Sequence, residues 1–176
     1  FSSVFAIYAF QTYLTISYGG VTGQRYIEKK IQMAKKEGVN FDYRRKLDVY
    51  TELKNTKYKN LKTTISPANH INKNLELFPL AGVSNSKTIN CNENGYYTFF
   101  QSDRYGFNNP DTEWDQKEIE FFLVGDSFVL GNCVNRPYDI SSILREISNK
   151  SVLNIGYANN GTLLEYASLK EYIIPN

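Results

Sequence analysis

Between residues 118 and 174 the chain alternates strand-like and helix-like patterns, and this alternation restricts the folds open to it more than any other feature. IEFFLV (119–124) is a continuous apolar run, as expected of a parallel strand buried on both faces. In DISSILREISNK (139–150), Asp139 is placed to cap a helix whose Ile140, Ile143, Leu144 and Ile147 form one stripe. SVLNIG (151–156) reads as the next strand. TLLEYASLKEYI (162–173) reads as a second amphipathic helix, capped by Thr162. Strand, helix, strand, helix at this spacing predicts a right-handed βαβ unit and an open parallel sheet, an α/β fold. Ligands of such sheets bind outside the carboxyl ends of the strands. Gly125-Asp126-Ser127 and Gly156-Tyr157-Ala158 occupy two such ends.

A serine at a strand-to-helix junction projects its hydroxyl over the sheet edge. Its N–H and the following helix favour negative charge developing nearby, and Gly125 permits a sharp turn. Ser127 is therefore a candidate nucleophile. The same three residues also suit an ordinary surface turn, and both readings stand at this point. Asp126 suggests Mg²⁺ or phosphoryl chemistry in a flavodoxin-like domain, but that chemistry needs further acidic ligands at other strand ends, and the pattern supplies none. Cys91 and Cys133 with the lone His70 match no zinc spacing. The thiols are either inert or joined in one disulfide, and no metal or cofactor is expected. Asn159 and Asn160, beside Gly161, suit the turn and cap before the last helix. Most of the 14 tyrosines suit core and hairpin packing. Tyr157, and with it Asp126, is a candidate substrate contact.

Upstream the chain divides into a possible membrane anchor (1–20), a basic helical segment (21–62) and a lead-in lobe (63–117), ahead of the α/β segment (118–176). FSSVFAIYAFQTYLTISY carries no charge over its 18 residues, which borders on the length needed to cross a bilayer. Gly19-Gly20 closes it. The net charge of +2 hides an asymmetry. Residues 1–62 hold 12 Lys+Arg against 5 Asp+Glu, and residues 63–176 hold 8 against 13. No nucleic-acid motif accompanies the basic half, so it reads as a solvated surface or, second, as a membrane-facing one. Ile27 and Ile31, then Tyr43, Leu47, Tyr50 and Leu53, repeat at helical spacing. In the lobe, Asn94-Gly95 before the aromatic YYTFFQ (96–101) predicts a turn and a hairpin. Phe1 at one end and Ile174-Pro175-Asn176 at the other read as cut ends of a longer chain.

GDSF (125–128) after an apolar strand resembles the first block of the SGNH (GDSL-type) hydrolases, and LNIGYANNG (153–161) resembles their second. LFPLAGVSNSKTINCNENG (77–95), SDRYGFNNPDTEWD (102–115), GNCV (131–134) and GTLLEYASLKEY (161–172) extend the likeness to membrane-anchored members found near bacterial polysaccharide genes. The resemblance covers residues 75–174 and implies a flavodoxin-like SGNH sheet, incomplete in this sequence. It makes Ser127 the nucleophile of a serine ester hydrolase and the N–H groups of Ser127 and Gly156 two oxyanion donors. The family's third donor, an Asn after the third strand, and its Asp-x-x-His base have no counterpart here. His70 precedes the nucleophile, the wrong order for that base, and reads as a solvated loop residue. The implied substrate is an O-acylated carbohydrate. Alternatives are an O-acyltransferase, or a glycan-binding or polysaccharide-assembly protein that kept the fold without catalysis. The likeness also implies a domain on the outer side of a membrane, where a Cys91–Cys133 disulfide would tie the lobe to the sheet.

Overall fold

The computed structural model describes residues 2–17, 23–71 and 73–174. The chain forms two compact units, Phe1–Tyr43 and Arg44–Asn176. In the first, α1 (Ser2–Ser17) carries no charged residue, and α2 (Gly23–Lys36) ends on Lys35 and Lys36. The 16 residues of α1 reach about 24 Å at 1.5 Å per residue, short of a hydrocarbon core of about 30 Å. Among the described residues no helix is long and apolar enough to cross a membrane. Gly19 and Gly20 lie outside the described residues.

The second unit opens with α3 (Lys46–Thr56), whose Val49 packs on Leu61 and Ile89 in a small apolar cluster. Leu61 and Ile89 belong to a three-stranded sheet of β1 (Leu61–Thr63), β2 (Lys87–Ile89) and β3 (Phe99–Gln101), in that order. β1 runs parallel to β2, and β2 antiparallel to β3. The β2–β3 pair is the hairpin expected around Asn94-Gly95, and Gly95 takes the positive φ of 89° that its turn requires. Leu61 was expected to lie within the helical segment. Pairing with β2 draws it into a strand, and the helix stops at Thr56.

The α/β segment contains β4 (Phe121–Leu123), α4 (Ser127–Leu130), α5 (Ile140–Ser148), β5 (Val152–Asn154) and α6 (Thr162–Tyr172). β4 and β5 pair in parallel, Phe121 opposite Val152 and Leu123 opposite Asn154, as the βαβ pattern predicts. The ladder continues past both strands: Ile155 N–H donates to Leu123 O (2.9 Å) and Tyr157 N–H to Gly125 O (3.1 Å). Asp139 caps α5 as expected. The architecture is thus mixed α/β with small parallel pairings.

Burial departs from expectation in three places. β4 pairs only with β5 among the described residues, leaving Phe121 and Phe122 exposed rather than covered on both faces. The α5 stripe points outward, with Ile140, Ile143 and Ile147 exposed, because the small Ser141 is the fully buried residue of that helix. Gly161, not Thr162, is the N-cap of α6. The main core lies between these elements and joins Phe100, Phe107, Leu130, Leu153, Ile155 and Tyr157.

Candidate functional site at the carboxyl end of the parallel strands

Ser127 opens the single turn of α4, immediately beyond the end of β4. Asp126 caps that turn, its Oδ1 accepting from Phe128 N–H at 2.9 Å. Leu130 N–H donates to Asp126 O (3.0 Å), and Asn132 N–H to Ser127 O (2.9 Å). Gly131 ends the helix in the left-handed region, φ 77°. Gly-Asp-Ser therefore supplies a strand exit, a cap and a first helical residue in succession. The Asp126 carboxylate is engaged in shaping the turn, which leaves less of it for the substrate contact expected of it.

What lies beneath the turn explains the glycines. A Cβ at Gly125 would come 2.5 Å from Val129 Cγ2, and one at Gly156 would come 2.5 Å from Val129 Cγ1 and 3.1 Å from Leu130 N. Both strand ends must be bare for α4 to settle on them. Asn154, fully buried in β5, fastens the assembly. Its Oδ1 accepts from Gly156 N–H at 2.9 Å, and its Nδ2 donates to Val129 O and to Ser141 Oγ. Gly156 is thus buried with its N–H already committed. This corrects its expected role as an oxyanion donor, because an Asn two residues upstream folds back on it.

Asn154 is the end of a longer polar chain. Its N–H donates to Asn109 Oδ1 (2.9 Å), and Asn109 Nδ2 donates to Asn154 O and to Asp103 Oδ2, both at 2.8 Å. Asp103, with no exposed surface, also accepts from Tyr105 N–H, Phe107 N–H and Trp114 Nε1, each at 2.9 Å. Arg145 completes the cluster, bonding Asn109 Oδ1 (2.9 Å) and the Glu113 carboxylate (3.2 Å). Asn108 Nδ2 separately holds Leu130 O at 2.9 Å. The segment resembling a lead-in is therefore what steadies the serine turn.

Ser127 lines a cavity of about 260 Å³ together with Glu93, Phe128, Asn132, Tyr138 and Asp139. Gly156, Tyr157 and His70 do not line it. Tyr157 is fully buried in the core, its ring edge-on to Phe107 at 6.4 Å, and does not meet the expectation of a substrate contact. Burial pushes its phenol up to about 12. Asp139 is nearly inaccessible. Burial works to raise its carboxyl, but hydrogen bonds from the Ser141 and Ser142 hydroxyls and from Ser142 N–H prevail and hold it below the usual range. Cys91 and Cys133 form a disulfide with Cα atoms 5.0 Å apart, and it brings the lobe to the cavity wall. Among the described residues no cluster of His, Cys, Asp and Glu is arranged to hold a metal ion.

Sequence reasoning passed over Asn154, Asn109 and Asp103. One signal was available for the first: a lone amide inside the apolar VLNIG strand must find partners when buried. Asn159, exposed with φ 59°, forms the expected turn before α6. Comparison with family models, with curated proteins and with solved structures finds no match to this chain.

Proposed function

We propose that Ser127 is the nucleophile of an SGNH-type ester hydrolase acting on an O-acylated carbohydrate. One observation supports this above all: the hydroxyl sits on a braced turn at the carboxyl end of a parallel strand and lines a cavity. In this reading Ser127 Oγ attacks the ester carbonyl carbon and gives its proton to a general base. The Ser127 N–H faces the developing oxyanion, the alkoxide leaves with a proton, and water releases the acid from the acyl-enzyme. Transfer to a sugar hydroxyl in place of water would make the protein an acyltransferase. No histidine follows Ser127 in this sequence, so the reading takes the base from outside these residues. It also places the unit on the outer side of a membrane, where the disulfide persists, with the apolar segment 1–18 as the membrane-associated part.

A fluorophosphonate probe tests the reading: it should label Ser127 in the full-length natural protein, and Ser127→Ala should abolish both labelling and ester turnover. Labelling elsewhere, or turnover that survives the substitution, refutes it. The committed Gly156 N–H favours a second reading, a non-catalytic glycan-binding or assembly protein. A full-length protein that binds oligosaccharide but never reacts with the probe would establish that one.

A further inference from the structure

Glu93 is far from Ser127 in sequence, yet the two line one cavity. Two links bring it there. The Cys91–Cys133 disulfide joins its loop to the segment after α4, and Asn94 Nδ2 donates to Cys133 O at 3.3 Å. The cavity is also bordered by Phe128 and Tyr138, 79% and 75% exposed, whose open ring faces suit contact with the C–H face of another ring. Its volume of about 260 Å³ lies just below the roughly 300 Å³ at which drug-sized sites begin, which suits a single ring. Two carboxylates, Glu93 and Asp139, line it, and no Lys, Arg or His does. Arg136, close by in the chain, directs its guanidinium to Gln101 O at 2.8 Å. Asp139 is turned inward on its own helix cap, so Glu93 is the carboxylate a ligand would meet.

We propose that Glu93 determines the specificity of the Ser127 cavity, admitting ring-shaped ligands that present hydroxyl or ammonium donors and rejecting anionic ones. This rests on the proposed function only in taking the cavity as a ligand site, and it holds for a hydrolase and for a glycan-binding protein alike. A carboxylate is an acceptor alone, so it pairs with donors and has nothing to offer another carboxylate. At a rim open to water, a unit charge about 5 Å away shifts affinity about 4-fold in either direction, or about 15-fold between a cation and an anion.

Methyl glucosaminide, methyl glucoside and glucuronate, titrated into the complete protein at about 20 mM salt, test this by amide chemical shifts. The cationic sugar should bind about 15-fold tighter than the anionic one, with shifts centred on residues 93 and 127–132. Glu93→Gln should cut that ratio at least 4-fold while leaving the neutral sugar within about 2-fold. In the unmodified protein, about 500 mM salt should shrink the ratio as well. Equal affinities, a ratio that ignores both Glu93→Gln and salt, or no shift at these residues with any sugar would overturn the proposal. Probe labelling of Ser127 without sugar discrimination would defeat this inference alone. Discrimination without labelling would defeat the hydrolase reading alone.

Discussion

Replacing Asp103 by Asn changes one oxygen for one amide group and should still cost this unit much of its stability. The carboxylate has no exposed surface and accepts four hydrogen bonds, two on each oxygen. An Asn side chain keeps one oxygen, so it can serve either the Tyr105 and Phe107 amides or the Asn109 and Trp114 side chains. Whichever pair is abandoned faces an NH₂ group, donor against donor. Hydrogen bonds to a charged acceptor contribute about 1.5–3 kcal/mol each. Losing two predicts a destabilisation of about 4 kcal/mol, a large part of the roughly 5–15 kcal/mol that holds a typical domain. Urea unfolding at pH 7, followed by Trp114 fluorescence, measures it directly, since the indole is one of the four donors. A loss below about 1 kcal/mol, with an unchanged slope, would refute the claim that this carboxylate organises the segment 103–115.

Gly156→Ala should destabilise by about 1–3 kcal/mol, the range of overpacking, since its Cβ would sit 2.5 Å from the Val129 side chain and 3.1 Å from Leu130 N; equilibrium unfolding checks it. Reducing the Cys91–Cys133 bond reopens a loop with a sequence separation of 42, worth about 4 kcal/mol by chain entropy, and should lower the melting temperature accordingly. Burial raises Tyr157 to about 12 against about 10 for an unfolded tyrosine, so between these values the unfolded chain holds fewer protons and stability falls as pH rises. Tyr157→Phe should flatten that alkaline decline in thermal melts. On the proposed hydrolase reading, with no histidine after Ser127, these 176 residues alone should not turn over p-nitrophenyl acetate, because losing triad partners costs several orders of magnitude; turnover that disappears with Ser127→Ala would contradict this.

The βαβ segment was legible because apolar runs, an Asp cap and helical spacing all pointed the same way. The residues on which each element packs were not. The Ile140–Ile143–Ile147 stripe looked core-facing by type, yet Ser141 takes the buried position. Tyr157 was read as a ligand contact because it adjoins Gly156, the glycine implied as an oxyanion donor. Its side chain instead fills the space left by Gly82, where an added Cβ would lie 2.4 Å from the phenol oxygen. The serine turn was visible as a tripeptide, but its bracing depends on Asp103, Asn109 and Asn154, whose partners lie up to 45 residues away. Spacing rules describe neighbours along an element and carry no information about such encounters. The likeness to the SGNH hydrolases implied an oxyanion role for Gly156, and the amide that claims its N–H sits only two positions earlier. That local competition can be read from a sequence when a buried Asn precedes a glycine by two.

Gly125 and Gly156 both face Val129, and this contact makes the three positions a single steric unit. A methyl group added beneath the turn must be matched by one removed above it, or the serine rides higher over the sheet. Drift at any one of the three is therefore constrained by the other two, although they are spread over 32 positions of sequence. Among descendants of this chain, Ala at 125 or 156 should appear only with a residue smaller than Val at 129. Lineages that enlarge 129 should first have lost any need for the height of the serine.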